Sequence, residues 1–427
     1  MTVQSQSEPL EAAATERDHD RIRRLMLFFG LVYVVEGIGQ TGGIIAQPLS
    51  YYLKEVYAWT PVQVTGFLTV FNFPWIIKPV YGLVSDFLPL FGYRRKSYLI
   101  LANALATFAY LLVATLAAPG QLLFALLLTA YAMAISSTLC GALLVENGQR
   151  FGASGAFVNQ QWLWFNVAGM CASLVGGELI DLLPPTFALR GAALIAGVTP
   201  FIVIFGAVYL VQEERTRVNL PELKNAFRGL LAAFRSRRLW VVGLYLFFYY
   251  FSPGFATPLY YHMTDTLHFS QGYIGLLGSI GSAGSIVGAL LHRWYLAGMT
   301  SKCLLQLSIL VGTVTTALFL LLADEATAAV LNFANGIAAM RALVATLTLA
   351  ADYCPKRSEG FAFAVLMSVT NLATAASDNV GSFLYEQAFG NRLTPLILVS
   401  AAFTAFAWLL IPLLRLGDKP QGRPIPG

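Results

Sequence analysis

Twelve stretches of the length needed to cross a bilayer recur along this chain, each poor in charge and bounded by charge, Pro or Gly. They fall near 25–50, 62–86, 97–117, 121–146, 155–181, 188–212, 239–264, 272–295, 302–322, 327–352, 359–387 and 393–414. A helix needs about 20 mostly apolar residues to span the roughly 30 Å hydrocarbon core. Inside lipid every backbone polar group must be satisfied internally, which leaves helices or closed barrels. A barrel would show alternating strands of about ten residues, and these runs have no such period. The composition agrees: 57% of the 427 residues are hydrophobic and 11% charged, against about 25% charged in soluble domains. The expectation is an all-α, polytopic membrane protein.

Residues 1–24 read as a polar tail without the apolar centre of a signal peptide, so the first span acts as its own anchor. Lys and Arg near span ends stay on the cytoplasmic side. With both termini cytoplasmic, Lys54, Arg190 and Arg392 lie outside and Lys78 and Arg341 lie within spans, leaving 22 of the 27 Lys and Arg inside. The expectation is a multi-pass protein of the plasma (inner) membrane. Its net charge of +5 reflects this topology and contact with anionic lipid, with no support for nucleic-acid binding. Cys140, Cys171, Cys303 and Cys354 show no paired spacing, so they read as small packing residues.

Residues 25–212 and 239–415 each hold six spans, joined by a linker at 213–238 and followed by a tail at 416–427. In the linker Leu223, Phe227, Leu230, Leu231 and Phe234 recur at helical spacing between basic residues, as in a helix lying on a membrane surface. Gly82, Gly92 and Lys96 match Gly288, Gly298 and Lys302 at an offset of 206, and the same offset carries Glu146 to Asp352. A duplicated six-helix unit follows, an organisation common in secondary transporters. Gly284 and Gly288 have the spacing of close helix packing, and Pro253-Gly254 predicts a kink or hinge in the seventh span.

The segment Lys78-Pro79-Val80-Tyr81-Gly82-Leu83-Val84-Ser85-Asp86, continuing to Gly92-Tyr93-Arg94-Arg95-Lys96, resembles the loop between the second and third helices of the major facilitator superfamily. Three extra residues separate its Asp from the second Gly. That longer form, with Pro74-Trp75-Ile76-Ile77-Lys78-Pro79 before it, is similar to the folate-biopterin transporter family. Tyr33-Val34-Val35-Glu36-Gly37 and Leu349-Ala350-Ala351-Asp352-Tyr353-Cys354-Pro355 resemble further motifs of that family. The resemblance implies twelve helices in two pseudo-symmetric halves, alternating access, and a folate or pterin as substrate. It also implies that the loop of Asp86, Arg94 and Arg95 steadies the state closed to the cytoplasm, while Glu146 and Asp352, at helix ends and related by the repeat, read as structural or gate charges.

Ionisable groups at membrane depth are expensive and face a cavity or a partner. Glu36 and Arg341 sit near mid-depth in opposite halves, Lys78 about two turns from the cytoplasmic end of its span and within snorkelling reach, and Asp378 in the outer part of the eleventh. Glu36 and Arg341 either pair structurally or line the path. In the second case Glu36, Arg341, Lys78, Asn166, Tyr249 and Tyr250 form the candidate substrate site, and Glu36 and Asp378 the candidate proton carriers. Tyr260, Tyr261 and Trp162 suit an interfacial aromatic belt equally well. No cofactor or metal is expected, and a monomer suffices. Four scattered His and no large loop on the outer side speak against a membrane enzyme. The alternatives are a major facilitator protein for another metabolite and a non-transporting assembly factor or receptor of the same fold.

Overall fold

A computed structural model describes residues 7–215, 235–292, 299–353 and 359–414, with backbone alone for 7–18, 154, 351–353 and 359–361. The described residues form helices α1 (Ser7–Gly39), α2 (Ala46–Tyr57), α3 (Pro61–Ile76), α4 (Lys78–Phe87), α5 (Lys96–Thr115), α6 (Pro119–Phe151), α7 (Ser154–Leu182), α8 (Pro185–Val198) and α9 (Pro200–Tyr209). The C-terminal half follows with α10 (Arg237–Tyr250), α11 (Ala256–Asp265), α12 (Gln271–Leu291), α13 (Ser301–Leu318), α14 (Glu325–Tyr353), α15 (Glu359–Phe383) and α16 (Leu393–Leu410). The expected linker helix lies outside the described residues.

Nine helices among the described residues are long and apolar enough to cross a membrane. The other three expected spans, the first, seventh and eleventh, have a physical reason to differ. The first breaks between Gly39 and Ala46, the seventh between Tyr250 and Ala256 around Pro253-Gly254, and the eleventh carries Asn371, Thr374, Ser377, Asp378 and Asn379. The chain is also helical from Ser7, well inside the segment read as a tail. At the seventh-span break the Gly254 N–H donates to the Ser377 carbonyl at 2.9 Å. A side chain at Gly254 would collide with Asp378, and one at Gly381 with the Gly254 backbone, so glycine is required on both sides of this contact.

Helix pairing repeats across the halves. α1 packs on α7 as α10 packs on α15, and α5 on α6 as α13 on α14. Gly82 sits against Thr138 of α6, while Gly288 abuts Ile337 and Met340 of α14, the tenth span as α6 is the fourth. The Gly284 spacing works as close packing, since a Cβ there would run into the Phe333 carbonyl.

The halves meet through α7 against α12 and α3 against α15, and the contact is uneven. Call the side bearing Arg21, Asp86 and Arg95 the near face and the side bearing Lys54, Asp181 and Asp265 the far face. One apolar core runs through the N-terminal half and continues into Tyr260, Tyr261, Met263, Phe269, Ile274 and Leu277 on the far face. Near-face core residues of the C-terminal half, such as Leu239, Leu246, Leu349 and Leu366, form a separate cluster. Tyr260 and Tyr261 are therefore buried in the contact rather than placed in an interfacial belt. The Tyr260 hydroxyl donates to Gln271 Oε1 at 3.0 Å, and the Tyr261 hydroxyl donates to the Trp59 carbonyl across the halves.

Polar contacts reinforce the far face. Lys54 Nζ pairs with Asp265 Oδ1 at 2.7 Å. Gln47 Nε2 donates to the Gln271 carbonyl at 2.7 Å. The Asp181 carboxylate accepts the Gln271 and Gly272 N–H groups at 3.1 and 2.8 Å, which places a negative charge from one half on the positive end of α12 in the other. These contacts, with the Ser279 hydroxyl donating to the Met170 carbonyl at 2.7 Å, join the halves from the far face inward.

Candidate functional site

The first and second spans place two charges side by side. Ser137 on α6 donates to Glu36 Oε1 at 2.8 Å and accepts from Lys78 Nζ at 3.1 Å. The ammonium also lies 4.4 Å from the centre of the Trp75 ring, a cation–π distance. Glu36 is 8% exposed. Its Oε2 and the Trp75 Nε1 are buried with no hydrogen-bond partner among the described residues. A carboxylate and an ammonium bridged by one hydroxyl hold each other's charge in the apolar interior, yet leave one acceptor and one indole donor uncommitted.

Of the two alternatives for Glu36, the pair with Arg341 is not formed; among the described residues its charge partner is Lys78, through Ser137. Lys78 does not snorkel to the near face, because Trp75 and Ser137 hold it within the protein.

The C-terminal half holds the remaining candidates except Asn166, which lies on α7 of the N-terminal half. The Tyr249 and Tyr250 rings meet edge to face at 5.4 Å. The Tyr249 hydroxyl donates to Ser308 Oγ at 2.9 Å, and the Tyr250 hydroxyl shares a 2.8 Å hydrogen bond with Thr346 Oγ1. Arg341 lies within electrostatic reach of Tyr249. Its Nε is buried without a partner, and no carboxylate pairs with it among the described residues. Asn166 spends one amide N–H on the Trp162 carbonyl of its own helix at 2.7 Å. Asp378 rests against Gly254 at the seventh-span break, without an ion pair among the described residues.

The near-face loop is a closed charge cluster. Phe91 and Gly92 both adopt positive φ, 51° and 85°, with the Tyr93 N–H bonded to the Leu90 carbonyl at 2.9 Å. The residues that lengthen this loop thus form a tight primed turn. It brings Arg95 back over Asp86, with Arg95 Nη2 at 2.5 Å from Asp86 Oδ1 and 2.8 Å from Glu146 Oε1. Burial opposes the guanidinium charge, but the Asp86 and Glu146 carboxylates outweigh it and hold the Arg95 pKa above its ordinary value. All three belong to the N-terminal half. In this state, then, the cluster braces one half internally. Arg94 contributes its backbone N–H to Glu213 at 2.9 Å, and the Asp352 side chain lies outside what is described.

Sequence reasoning missed four participants. Ser137 bridges Glu36 and Lys78. Glu213 accepts from the N–H groups of Arg94, Arg95 and Lys96, at 2.8 Å for the last, and so caps α5. Asp181 caps α12 across the halves, and Asn371 donates to the Trp75 carbonyl at 2.8 Å. Only a carboxylate at a span end offered a signal for the two caps.

A family model described as the BT1 family matches residues 37–416. The chain is 29% identical to the folate-biopterin transporter of Synechocystis sp. over 92% of its own length and 81% of that protein's. It is 23% identical to folate transporter 2 of Plasmodium falciparum, over 89% and 87%. Among solved structures, a D-xylose-proton symporter superposes with a TM-score of 0.70 at 12% identity, over 91% of this chain and 97% of that one. The human organic anion transporter MFSD10 superposes at 0.63 and 17% identity, over 91% and 99%. At such identities the structural likeness speaks for the fold alone, which is that of major facilitator transporters. The family match covers most of the length, and the chain belongs to the BT1 family.

Proposed function

We propose that the chain is a secondary transporter that carries a folate or pterin-like solute by alternating access, with its site between Glu36, Lys78 and Trp75 of one half and Tyr249, Tyr250 and Arg341 of the other. The observation that carries this reading is the partition of uncommitted polar groups. An acceptor at Glu36 Oε2 and a donor at Trp75 suit the alternating donors and acceptors of a pterin edge, while Arg341, without a carboxylate partner among the described residues, suits a glutamate tail. The relatives named for folate and biopterin transport support the substrate class. Lysine and arginine placement supports a cytoplasmic near face, on which reading the far-face contacts clasp the halves on the outer side. Coupling to protons runs through Glu36 and Asp378. The protein works as a monomer in the plasma (inner) membrane.

Ligand binding to the purified protein tests this. Arg341→Gln is expected to weaken folate at least tenfold more than a pterin without the glutamate tail, since only folate brings carboxylates to that end (about 1.4 kcal/mol). Equal losses would make Arg341 structural, and no binding of either compound would point to another metabolite.

A further inference from the structure

The break between α3 and α4 frees two backbone carbonyls, and the protein satisfies them in different ways. Pro79 has no N–H, and its ring crowds the carbonyl four residues back, that of Trp75. The neighbouring Pro74 carbonyl is satisfied from within, by the Tyr81 hydroxyl at 3.0 Å. The Trp75 carbonyl takes its donor from the opposite half, Asn371 Nδ2 at 2.8 Å.

This bond is the innermost rung of a ladder between α3 and the eleventh span, which runs from Asn371 at mid-helix to Glu386 at its outer end. The Val62 N–H donates to Glu386 Oε2 at 3.2 Å, Thr65 and Ser382 share a 2.7 Å hydrogen bond, and Asn379 Nδ2 donates to Thr69 Oγ1 at 2.6 Å. The rungs step down from the far face to the level of Lys78. The last one ends on the residue whose ring lies under the Lys78 ammonium.

We infer that Asn371 is a positioning residue that ties separation of the halves to the Glu36–Ser137–Lys78 chain through the Trp75 carbonyl. When the halves part on the far face the ladder opens, and the Trp75 carbonyl loses its donor in surroundings where an unsatisfied carbonyl is costly. Lys78 lies one turn along and has three N–H groups, one of them committed to Ser137. Turning to the Trp75 carbonyl, it leaves Ser137 and releases Glu36 from its charge partner. Movement between the halves thereby becomes a change of charge pairing at the site. The inference rests on alternating access, and its test needs no substrate, so a failure of the folate assignment leaves it standing.

The test is labelling of Ser382→Cys in a chain otherwise without cysteine. Ser382 is fully buried against Thr65, so the thiol reacts only when the far face opens. Asn371→Ala, which costs the closed state a hydrogen bond to a buried carbonyl, is expected to raise labelling about tenfold. Lys78→Met removes the donor that serves the open state and lowers labelling about fivefold. In a Pro79→Ala background the backbone N–H restored at that position satisfies the Trp75 carbonyl in both states, and Lys78→Met then has no effect. Asn371→Ala is a second background with the same expected loss of the Lys78→Met effect, and it does not depend on tolerance of the proline change. An equal Lys78→Met effect in all backgrounds, or unchanged labelling in Asn371→Ala, overturns the inference.

Discussion

Replacing Ser137 by Ala removes one hydroxyl and two hydrogen bonds to charged groups, at 2.8 Å to Glu36 and 3.1 Å from Lys78. A hydrogen bond to a charged group contributes about 1.5–3 kcal/mol, so the pair is worth roughly 3–6 kcal/mol before relaxation. Among the described residues Glu36 Oε2 already lacks a partner, so the substitution leaves neither carboxylate oxygen with one. Lys78 keeps the Trp75 face and recovers part of the loss by approaching Glu36 directly. A net destabilisation of about 2–4 kcal/mol is expected. The assay is thermal unfolding in detergent beside Ser137→Thr, which keeps a hydroxyl at the same position. Ser137→Ala should melt well below both the native protein and Ser137→Thr. Equal melting of Ser137→Ala and the native protein would refute the bridging role.

Further outcomes follow from the two faces. Asp181→Asn loses the charge on the α12 N-terminus, about 1–2 kcal/mol of far-face clasp, and should raise Ser382→Cys labelling several-fold; unchanged labelling would remove Asp181 from the clasp. Asp86→Asn leaves Glu146 on Arg95, so membrane insertion should persist while the transport rate falls, and wild-type uptake would show that Asp86 does not take part in the cycle. Glu213→Gln weakens three backbone hydrogen bonds at the start of α5 and should lower the melting temperature, by about 1–2 kcal/mol of stability; the melting curve decides.

The expensive residues were visible in the sequence because they stand alone in apolar surroundings. Glu36, Lys78, Arg341 and Asp378 each interrupt a run that lipid or protein must cover. Their partners were not visible, because pairing is tertiary. Ser137 is one hydroxyl in Ser136-Ser137-Thr138, 101 residues from Glu36, and nothing local distinguishes it from its neighbours. Depth alone left a Glu36–Arg341 pair open, because depth does not say which helix a side chain faces. Pro253-Gly254 announced its break through covalent geometry. Pro79 equally announced a freed carbonyl at Trp75, but the donor from Asn371, 296 residues away, required the fold. Tyr260 and Tyr261 misled because an aromatic pair at a span end looks the same whether lipid or the opposite half covers it.

Uptake into proteoliposomes decides whether the chain carries a folate or pterin-like solute. Purified protein in vesicles with an inward proton gradient should take up labelled folate saturably, with competition by unlabelled pterin. Glu36→Gln, which keeps the shape but not the charge bridged to Lys78, should abolish the response to the gradient. Uptake no greater than in protein-free vesicles, with folates and pterins alike, would rule out transport of this solute class.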